Sequence, residues 1–490
     1  MEWINSPILG LIIYLVLIAG VAIWTWGKNA TKDDFILGGR KLGAWVIAFS
    51  ERTAAESAWL ILGLSGALYS VGMLELWTVI GCVGGIVFYW IAIARKLRVL
   101  SETYGAITLP EYFFQFCGKW GQHVRVISML IICFFFSFYV AAQFIAAGKV
   151  LDATFGIETY WGMALAALVV VVYTMMGGFT AVCFTDVVQA ILMIITLVVM
   201  PVIGLVLISG EGMDVAAAME ATGQTASLTG GKVGWAGAAA VIGGLSWGLG
   251  YMGQPHLVTK FMAINSPDAI RVGRKVAITW TVLAYVGAAL IGVVGITLVH
   301  NGALSSVDAA AVGEDPERIL PVLANFLFPA WIAGILIAGA VAAMMSTADS
   351  QLLIATSTIV EDFYSRVLGR KISQKQLVVL SRVATVAVGL AGFNLACWSD
   401  DLIYDVVSLA WAGLGSSFGP AILLSLHWKR MTGAGVLASM ITGAASTAAW
   451  KWIPGLDDFI SVRFASFALA ILAAVVFSLA TSNGDREGRR

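Results

Sequence analysis

Residues 45–71 read WVIAFSERTAAESAWLILGLSGALYSV, a stretch that is long enough to cross a bilayer and that nevertheless holds charges. The charges are Glu51, Arg52 and Glu56, all in its first half. Each ionised group at the bilayer centre costs about 3 kcal/mol, so three of them facing lipid would cost about 9 kcal/mol. We therefore expect this run to pair internally, to face a cavity, or to line an ion or substrate path.

The composition indicates an integral membrane protein of the helical type. Of the 490 residues, 59% are hydrophobic and only 12% are charged, whereas soluble domains are about 25% charged. The apolar runs are continuous rather than alternating, which predicts helices and not a β-barrel. The formal net charge is zero and no basic tract occurs, so nucleic acid is not an expected partner.

Thirteen membrane helices are predicted when about 20 apolar residues are taken as one span. The spans lie near residues 7–26, 45–71, 76–94, 124–149, 160–177, 185–209, 236–260, 277–299, 330–361, 378–397, 403–426, 432–450 and 463–482. Lysine and arginine concentrate in alternate loops, among them residues 27–44 and the loop 260–275, which begins with Lys260. By the positive-inside rule these loops are cytoplasmic, which predicts an external N-terminus and a cytoplasmic C-terminus. The expected location is a cell membrane, and a bacterial inner membrane in particular.

The span 236–260 is interrupted by the run GLGYMGQPH at positions 248–256. Pro255 removes a helical hydrogen bond, and the glycines permit non-helical dihedral angles. Two interrupted helices, each opening a five-helix half, are typical of inverted-repeat secondary transporters; two kinks that only help packing are the alternative. The expected parts are an extra helix and a cytoplasmic loop at 1–44, a first inverted repeat at 45–209, an external loop at 210–235, a second inverted repeat at 236–426, and two further helices with a cytoplasmic tail at 427–490.

A polar cluster interrupts the otherwise apolar span 330–361. Residues 342–351 read AAMMSTADSQ. Adjacent Ser346 and Thr347, with Asp349 and Ser350 about one turn on, supply the hydroxyl and carboxylate oxygens that a hard cation such as Na⁺ prefers. Serine and threonine in membrane helices also bond to their own backbone or join helices, so both interpretations stand on the residues alone.

A second polar cluster lies in residues 173–189, which read YTMMGGFTAVCFTDVVQ. The pair Gly177-Gly178 is predicted to close one helix, and Thr185-Asp186 to open the next. Either Thr185 or Asp186 would then act as an N-cap, because the first amides of a helix lack partners and favour an oxygen acceptor. A functional role for the Asp186 carboxylate is the alternative.

Taken in order, these segments resemble the solute:sodium symporter family, which includes bacterial sodium/proline symporters and sodium/glucose cotransporters. The run WGLGYMGQPH at 247–256, followed by FMA at 261–263, is most similar to the sodium/proline branch, as is WLILGLSGALY at 59–69. The resemblance covers most of the chain. It implies an all-α membrane protein of 13 transmembrane helices with a leucine-transporter-type core, a 5+5 inverted repeat with two broken helices.

The resemblance also implies which residues bind ion and substrate. For the main sodium site it implies the backbone carbonyls of Thr53, Glu56 and Ala343 and the hydroxyls of Ser346 and Thr347. For a candidate second cation or a proton it implies Asp186, Ser346, Thr347, Asp349 and Ser350. For the substrate, the matching positions are Ser57, Trp59, Tyr139, Trp247, Tyr251 and Pro255, and Gln143 and Gln254 are further candidates by position.

The first broken helix departs from the sodium/proline branch at one position. Ala55 stands where those symporters carry an important aspartate, and Glu56 follows it. One interpretation is that Glu51, Arg52 and Glu56 neutralise one another, since Arg52 and Glu56 have i,i+4 spacing. The other is that Glu56 faces the pocket and pairs with a substrate amine.

We predict a sodium-coupled symporter that imports a small organic solute, such as proline or a related amino acid, by alternating access. The sequence has no GxxxxGK[ST] phosphate loop, and no enzymatic activity is expected. The alternatives are a proton-coupled carrier of the same fold, or sodium-coupled uptake of a sugar, a sialic acid or a carboxylate. The expected partners are the substrate, Na⁺ and the lipid bilayer. A monomer would suffice, and the GxxxG pair Gly81 and Gly85 leaves a dimer open.

Overall fold

The computed structural model describes residues 6–25, 32–221, 226–371, 373–398 and 403–481. Within these ranges the chain is helical and forms no β-strand. Four predicted parts lie wholly or partly outside the described residues: Trp26 at the end of the first span, the start of the loop 27–44, positions 222–225 of the external loop, and residue 482 with the cytoplasmic tail that follows it.

The helices follow one another with short connections. The first half of the chain holds α1 Ile8–Thr25, α2 Lys32–Leu37, α3 Ala44–Ala58, α4 Ser65–Val71, α5 Leu76–Ala92, α6 Ala94–Thr103, α7 Leu109–Cys117, α8 Gly121–Phe155, α9 Thr159–Gly210 and α10 Val215–Ala221. The second half holds α11 Gly234–Leu245, α12 Trp247–Gly250, α13 Pro255–Ala263, α14 Ala269–His300, α15 Ser306–Glu314, α16 Ile319–Leu327, α17 Ala330–Ser357, α18 Gln374–Cys397, α19 Ile403–His427, α20 Gly433–Trp452, α21 Leu456–Phe459 and α22 Val462–Thr481. Two π-helical stretches, Trp59–Leu64 and Thr358–Val367, continue α3 and α17.

Nine helical stretches in the described ranges are long and apolar enough to cross a membrane. One of them, Ala44–Thr103, takes in two of the predicted spans, so the number of thirteen stays a prediction. The all-helical membrane fold is confirmed. Val16, Leu168 and Leu472 on the outside of the helices are 64%, 63% and 59% exposed, as side chains that face lipid must be.

The charged run at the start of the first broken helix is enclosed by protein. Helix α3 packs against α9, α14 and α17, and every residue from Ser50 to Ala58 is buried. Its charges therefore face protein groups and not lipid.

Both predicted helix breaks are present. In α3 the backbone of Ser57 has φ 29° and ψ −167°, which no α-helix contains. In the second segment the chain leaves the helical conformation at Gln254 (φ −78°, ψ 111°), and Pro255 then opens α13. A positive φ at a non-glycine residue costs about 1–3 kcal/mol, so surrounding contacts must hold Ser57 in place.

The turn between the fifth and sixth predicted spans is shorter than expected. Helix α9 contains a single residue with non-helical dihedral angles, Gly178 (φ 57°, ψ −171°). The Thr185 hydroxyl donates to the carbonyls of Ala181 at 3.1 Å and Val182 at 2.9 Å, well inside the helix. The prediction that Thr185 or Asp186 caps a helix is therefore wrong. Glycine turns the chain within one residue because it accepts a positive φ without steric cost.

The glycine pair of α5 has its packing partner inside the chain. Gly81 lies against the backbone of Leu245, and Gly85 lies against the backbone of Gly248. A side chain at either glycine would collide with α11 or α12, so the small residues are explained by packing within one molecule.

Candidate functional site

The Ser346 and Thr347 hydroxyls of α17 meet backbone carbonyls of the broken helix α3. The Ser346 hydroxyl lies 3.2 Å from the Thr53 carbonyl oxygen and 3.0 Å from that of Ala343. The Thr347 hydroxyl donates to the Ala54 carbonyl at 3.0 Å. We call these five residues the candidate cation site; all are fully buried.

The break at Ser57 explains why an α3 carbonyl is available there. In an unbroken helix the Ala58 amide would donate to the Ala54 carbonyl. Here the Ala58 amide donates to the Gln143 side-chain oxygen at 3.2 Å, and Ala54 accepts from Thr347 instead. Gln143, named from the sequence as a substrate candidate, thus holds the break open. The Glu56 carbonyl, predicted for the sodium site, accepts the Trp59 amide.

The two carboxylates predicted to bind a second cation, Asp186 and Asp349, accept hydrogen bonds from different protein donors. The Asp186 carboxylate accepts from Ser50 at 2.6 Å and from the Lys260 ammonium at 3.1 Å. The Asp349 carboxylate accepts from the Tyr173 hydroxyl at 2.7 Å. One carboxylate oxygen each of Asp186 and Asp349 and the Ser350 hydroxyl are buried with no hydrogen-bond partner in the part of the chain that the structure describes.

Lys260 is the residue of this region that sequence reasoning placed wrongly. The sequence predicts it among the cations of the loop 260–275, but its side chain is only 2% exposed. Helix α13 continues to Ala263 and carries Lys260 into the protein. The Thr53 hydroxyl donates to the Asp186 carbonyl at 3.2 Å. This hydrogen bond connects the surroundings of Lys260 to the candidate cation site.

Glu51, Arg52 and Glu56 form a buried charged triad. Arg52 Nη1 donates to Glu56 Oε1 at 2.7 Å, and Arg52 Nε donates to Glu51 Oε2 at 2.7 Å, beside a second contact from Nη2 to Glu51 Oε1. The indole of Trp90 donates to Glu51 at 3.0 Å. The geometry is the mutual pairing expected from the i,i+4 spacing, and all three side chains are fully buried.

Glu56 also connects the charged triad to the predicted substrate residues. Its Oε2 accepts from the hydroxyl of Tyr285 at 2.6 Å and from that of Tyr251 at 3.3 Å. Charge-assisted hydrogen bonds of this kind are roughly twice as strong as neutral ones. Both carboxylate oxygens of Glu56 are therefore occupied by protein donors.

The predicted substrate residues gather in an aromatic cluster, which we define as Trp59, Trp247, Tyr251, Tyr285 and Trp411. Trp59 from the first break stacks on Trp247 from the second, with ring centroids 4.7 Å apart and planes at 8°. Tyr251 meets Trp411 edge-on at 4.7 Å. The sequence does not predict Tyr285 and Trp411 as site residues, because no local motif distinguishes them from aromatic residues that pack between helices. All of the cluster is fully or almost fully buried, so the protein is closed around it.

The remaining predicted positions border this aromatic cluster. The Tyr139 ring lies 6.4 Å from that of Trp411, and Gln254 Nε2 donates to the Trp411 carbonyl at 3.2 Å. The Ser57 hydroxyl accepts the Trp59 amide at 3.3 Å, and Pro255 is buried at the start of α13. The Tyr139 hydroxyl and Gln254 Oε1 are buried and have no hydrogen-bond partner within the described ranges.

A chain of polar contacts closes one side of the aromatic cluster. The Trp247 indole donates to the Tyr404 hydroxyl at 2.9 Å, and the Tyr404 hydroxyl donates to the Glu75 carboxylate at 2.8 Å. Glu317 accepts the first amides of α19, from Ile403 at 3.2 Å and Tyr404 at 3.1 Å, and pairs with Lys149 at 2.6 Å. Burial raises the pKa of the Glu317 carboxyl above its ordinary value, and the Lys149 ammonium opposes that shift.

The sequence profile of the sodium:solute symporter family matches residues 35–443. The chain belongs to the sodium:solute symporter family. Among its relatives, the high-affinity proline transporter PutP of Bacillus subtilis (strain 168) is 37% identical over 94% of this chain and 95% of its own. The sodium/proline symporter of Escherichia coli (strain K12) is 38% identical over 95% of this chain and 91% of its own.

Solved structures show the same fold for this sodium:solute symporter. A Na⁺-coupled sialic acid symporter in a substrate-bound outward-open state superposes with a TM-score of 0.80 at 19% identity, covering 98% of both chains. MhsT in complex with L-phenylalanine gives a TM-score of 0.54 at 13% identity, over 89% of this chain and 98% of that one. The leucine-transporter-type fold predicted from the sequence is confirmed.

Family membership settles the class of activity. The protein is a sodium-coupled symporter for a small organic solute and not an enzyme. Na⁺ is its coupling ion, and it is a multi-pass protein of the cell membrane.

Proposed function

We propose that this symporter imports proline or a closely related amino acid together with Na⁺ by alternating access. The substrate assignment rests on the two proline transporters that are 37% and 38% identical over more than nine tenths of the chain. Ala55 at the position of the aspartate found in the sodium/proline branch is compatible with a changed preference within this class, since Glu56 beside it brings a carboxylate to the aromatic cluster.

The observation that carries the sodium part is the meeting of two hydroxyls with the carbonyls at the first break. In our proposal Na⁺ binds at the candidate cation site, where Ser346 and Thr347 supply hydroxyl oxygens and Thr53, Ala54 and Ala343 supply carbonyl oxygens. The Glu56 carbonyl was predicted to bind Na⁺ here, but it accepts the Trp59 amide and thereby helps to define the backbone at the break. Hydroxyl and carbonyl oxygens are the ligands that hard cations prefer.

The substrate would bind between the two breaks, against the aromatic cluster. Aromatic walls with a few polar groups suit a small polar ligand. The Tyr139 hydroxyl and Gln254 Oε1, which have no hydrogen-bond partner among the described residues, supply such groups, and Ser57 lies at the break itself. One monomer contains every residue of this proposal, and the glycines of α5 pack within it.

The direct test is uptake of radiolabelled proline by proteoliposomes. We expect accumulation under an inward Na⁺ gradient and none when choline replaces Na⁺ at the same pH. Unlabelled sugars, sialic acids and carboxylates are not expected to compete. Accumulation driven by a proton gradient without Na⁺ would contradict the proposal.

The substitution Glu56→Gln tests whether the carboxylate shapes the substrate site. The amide keeps the volume of Glu56 but loses charge-assisted hydrogen bonds from Arg52, Tyr251 and Tyr285, each of which contributes about 1.5–3 kcal/mol. We expect the half-saturating proline concentration to rise at least about tenfold, with a much smaller change for Na⁺. Equal losses for proline and Na⁺ in the same uptake assay would show that Glu56 serves the structure as a whole.

We also propose that the N-terminus is external, which places the contacts of Glu317 on the external face. Glu317→Ala removes one of the two carboxylates that pair with Lys149, leaving Asp315, and it removes the acceptor for the α19 amides, so we expect this face to open more often. A cysteine at Gly63, which lies against Tyr404, would report opening in a background without native cysteines. An impermeant maleimide should label it several-fold faster from outside in the Glu317→Ala background, and the exposed Glu314→Ala is the matched control. An unchanged rate would contradict the closing role of Glu317.

A further inference from the structure

A buried ammonium group pairs with Asp186, one of the five residues expected to bind a second cation. The Lys260 Nζ lies 2.7 Å from the Ser50 hydroxyl and 3.1 Å from Asp186 Oδ2. It also lies 3.7 Å from the Cys183 sulfur and 5.0 Å from the centre of the Phe179 ring. A hydroxyl and a carboxylate are the groups that would otherwise bind Na⁺.

The position of the ammonium is continuous with the candidate cation site. The Asp186 carbonyl accepts from the Thr53 hydroxyl at 3.2 Å, and the Thr53 carbonyl accepts from Ser346 at 3.2 Å. Thr53 therefore borders both positions. The second oxygen of Asp186, Oδ1, is fully buried and has no hydrogen-bond partner in the described part of the chain.

The charge balance of this position depends on Lys260. Asp186 is fully buried, and among the described residues Lys260 is the cation that pairs with it. A buried carboxylate without a partner is strongly unfavourable. If the ammonium were removed while Asp186 stayed, the cheapest remaining compensation would be a small cation from solution.

We propose that the Lys260 ammonium acts as a tethered cation at Asp186 and thereby excludes a second Na⁺, so that this symporter binds one Na⁺ in each cycle. The inference deepens the proposed function and rests on Na⁺ binding at the candidate cation site. It assigns to Lys260 the role of setting the ion stoichiometry.

A purely structural ion pair makes a different prediction. In that case Lys260→Met would destabilise the protein and Na⁺ would not restore it. If Lys260 stands in for an ion, Na⁺ should restore the melting temperature of Lys260→Met, whereas K⁺ and choline should not. This restoration should require the Asp186 carboxylate. Lys260→Arg keeps a tethered charge and is the matched control.

The experiment measures bound ²²Na⁺ and the melting temperature in detergent across a Na⁺ titration, with K⁺ or choline keeping the ionic strength constant. For the wild type and Lys260→Arg we expect one bound ion and a Hill coefficient of about 1. For Lys260→Met we expect a second bound ion and a Hill coefficient approaching about 2. The double variant Lys260→Met/Asp186→Asn should again bind one ion, with a Hill coefficient of about 1.

Each result decides the question. Two ions bound to the wild type, or one ion bound to Lys260→Met, would overturn the inference and leave the proposed function standing. A Lys260→Met protein that unfolds at every Na⁺ concentration, while the double variant folds, would also overturn it. A wild type that binds no Na⁺ would refute the proposed function, and with it the inference that rests on it.

Discussion

Replacing Arg52 with methionine is expected to remove most of the stability of the fold. The change leaves the carboxylates of Glu51 and Glu56 buried without their shared partner, and breaking a buried ion pair in this way costs about 3–5 kcal/mol. Typical domains have a total stability of about 5–15 kcal/mol. We expect a large fall in the melting temperature of purified protein in detergent, or failure of the variant to accumulate in the membrane.

The matched control neutralises all three members of the charged triad. In Glu51→Gln/Arg52→Met/Glu56→Gln no charge is left unpaired, so we expect much of the melting temperature to return while proline uptake stays impaired. Replacing a whole buried ion pair with neutral groups is often tolerated where removing one partner is not. An Arg52→Met protein as stable as the wild type would show that the pairing contributes little.

Removing the hydroxyls of α17 is expected to have the largest effect on coupling. Ser346→Ala and Thr347→Ala each delete one oxygen from the candidate cation site. Leaving a buried polar partner unsatisfied costs about 1–3 kcal/mol, which corresponds to an increase of about 5-fold to 150-fold in the half-saturating Na⁺ concentration. The double variant should show no Na⁺-dependent uptake at physiological Na⁺.

Two further variants make this second result specific. Thr347→Ser keeps the hydroxyl and should retain Na⁺ dependence close to that of the wild type. Ser357→Ala, on the same helix, removes a hydroxyl that donates at 2.8 Å to the Leu353 carbonyl of its own helix, and should leave Na⁺ dependence unchanged. If the alanine variants weakened proline binding and left the Na⁺ titration unchanged, the hydroxyls would belong to the substrate site.

The parts of the fold that are encoded locally could be predicted from the sequence. Glycines and Pro255 predict the second break. The adjacent hydroxyls of Ser346 and Thr347 indicate oxygen ligands within an apolar helix. The Ala54 carbonyl could not be found in this way, because a backbone oxygen carries no residue-type signal and becomes available only when the break at Ser57 redirects the Ala58 amide.

Contacts between distant segments were the ones that sequence reasoning missed. Trp411 and Tyr285 join the aromatic cluster from helices whose local sequence has no motif that distinguishes them from ordinary packing residues. Lys260 was assigned to a loop because the positive-inside rule counts position along the chain, whereas its side chain reaches Asp186, which is 74 residues away in sequence. The sequence predicts Thr185 at a helix start because capping preferences depend on residue type alone. They do not show that Gly178 makes the whole turn, so that the next helix begins several residues before Thr185.

The backbone of Ser57 stores conformational strain in the closed arrangement. Among the non-glycine residues that the structure describes, only Arg40 and Ser57 have a positive φ, and such a conformation costs about 1–3 kcal/mol. That cost raises the free energy of the closed arrangement without weakening any contact to ion or solute. A carrier whose conformations differ by only a few kcal/mol keeps each of them populated. If Ser57 relaxes when the carrier opens, this strain shortens the dwell time in the closed arrangement and favours rapid release over long retention of cargo.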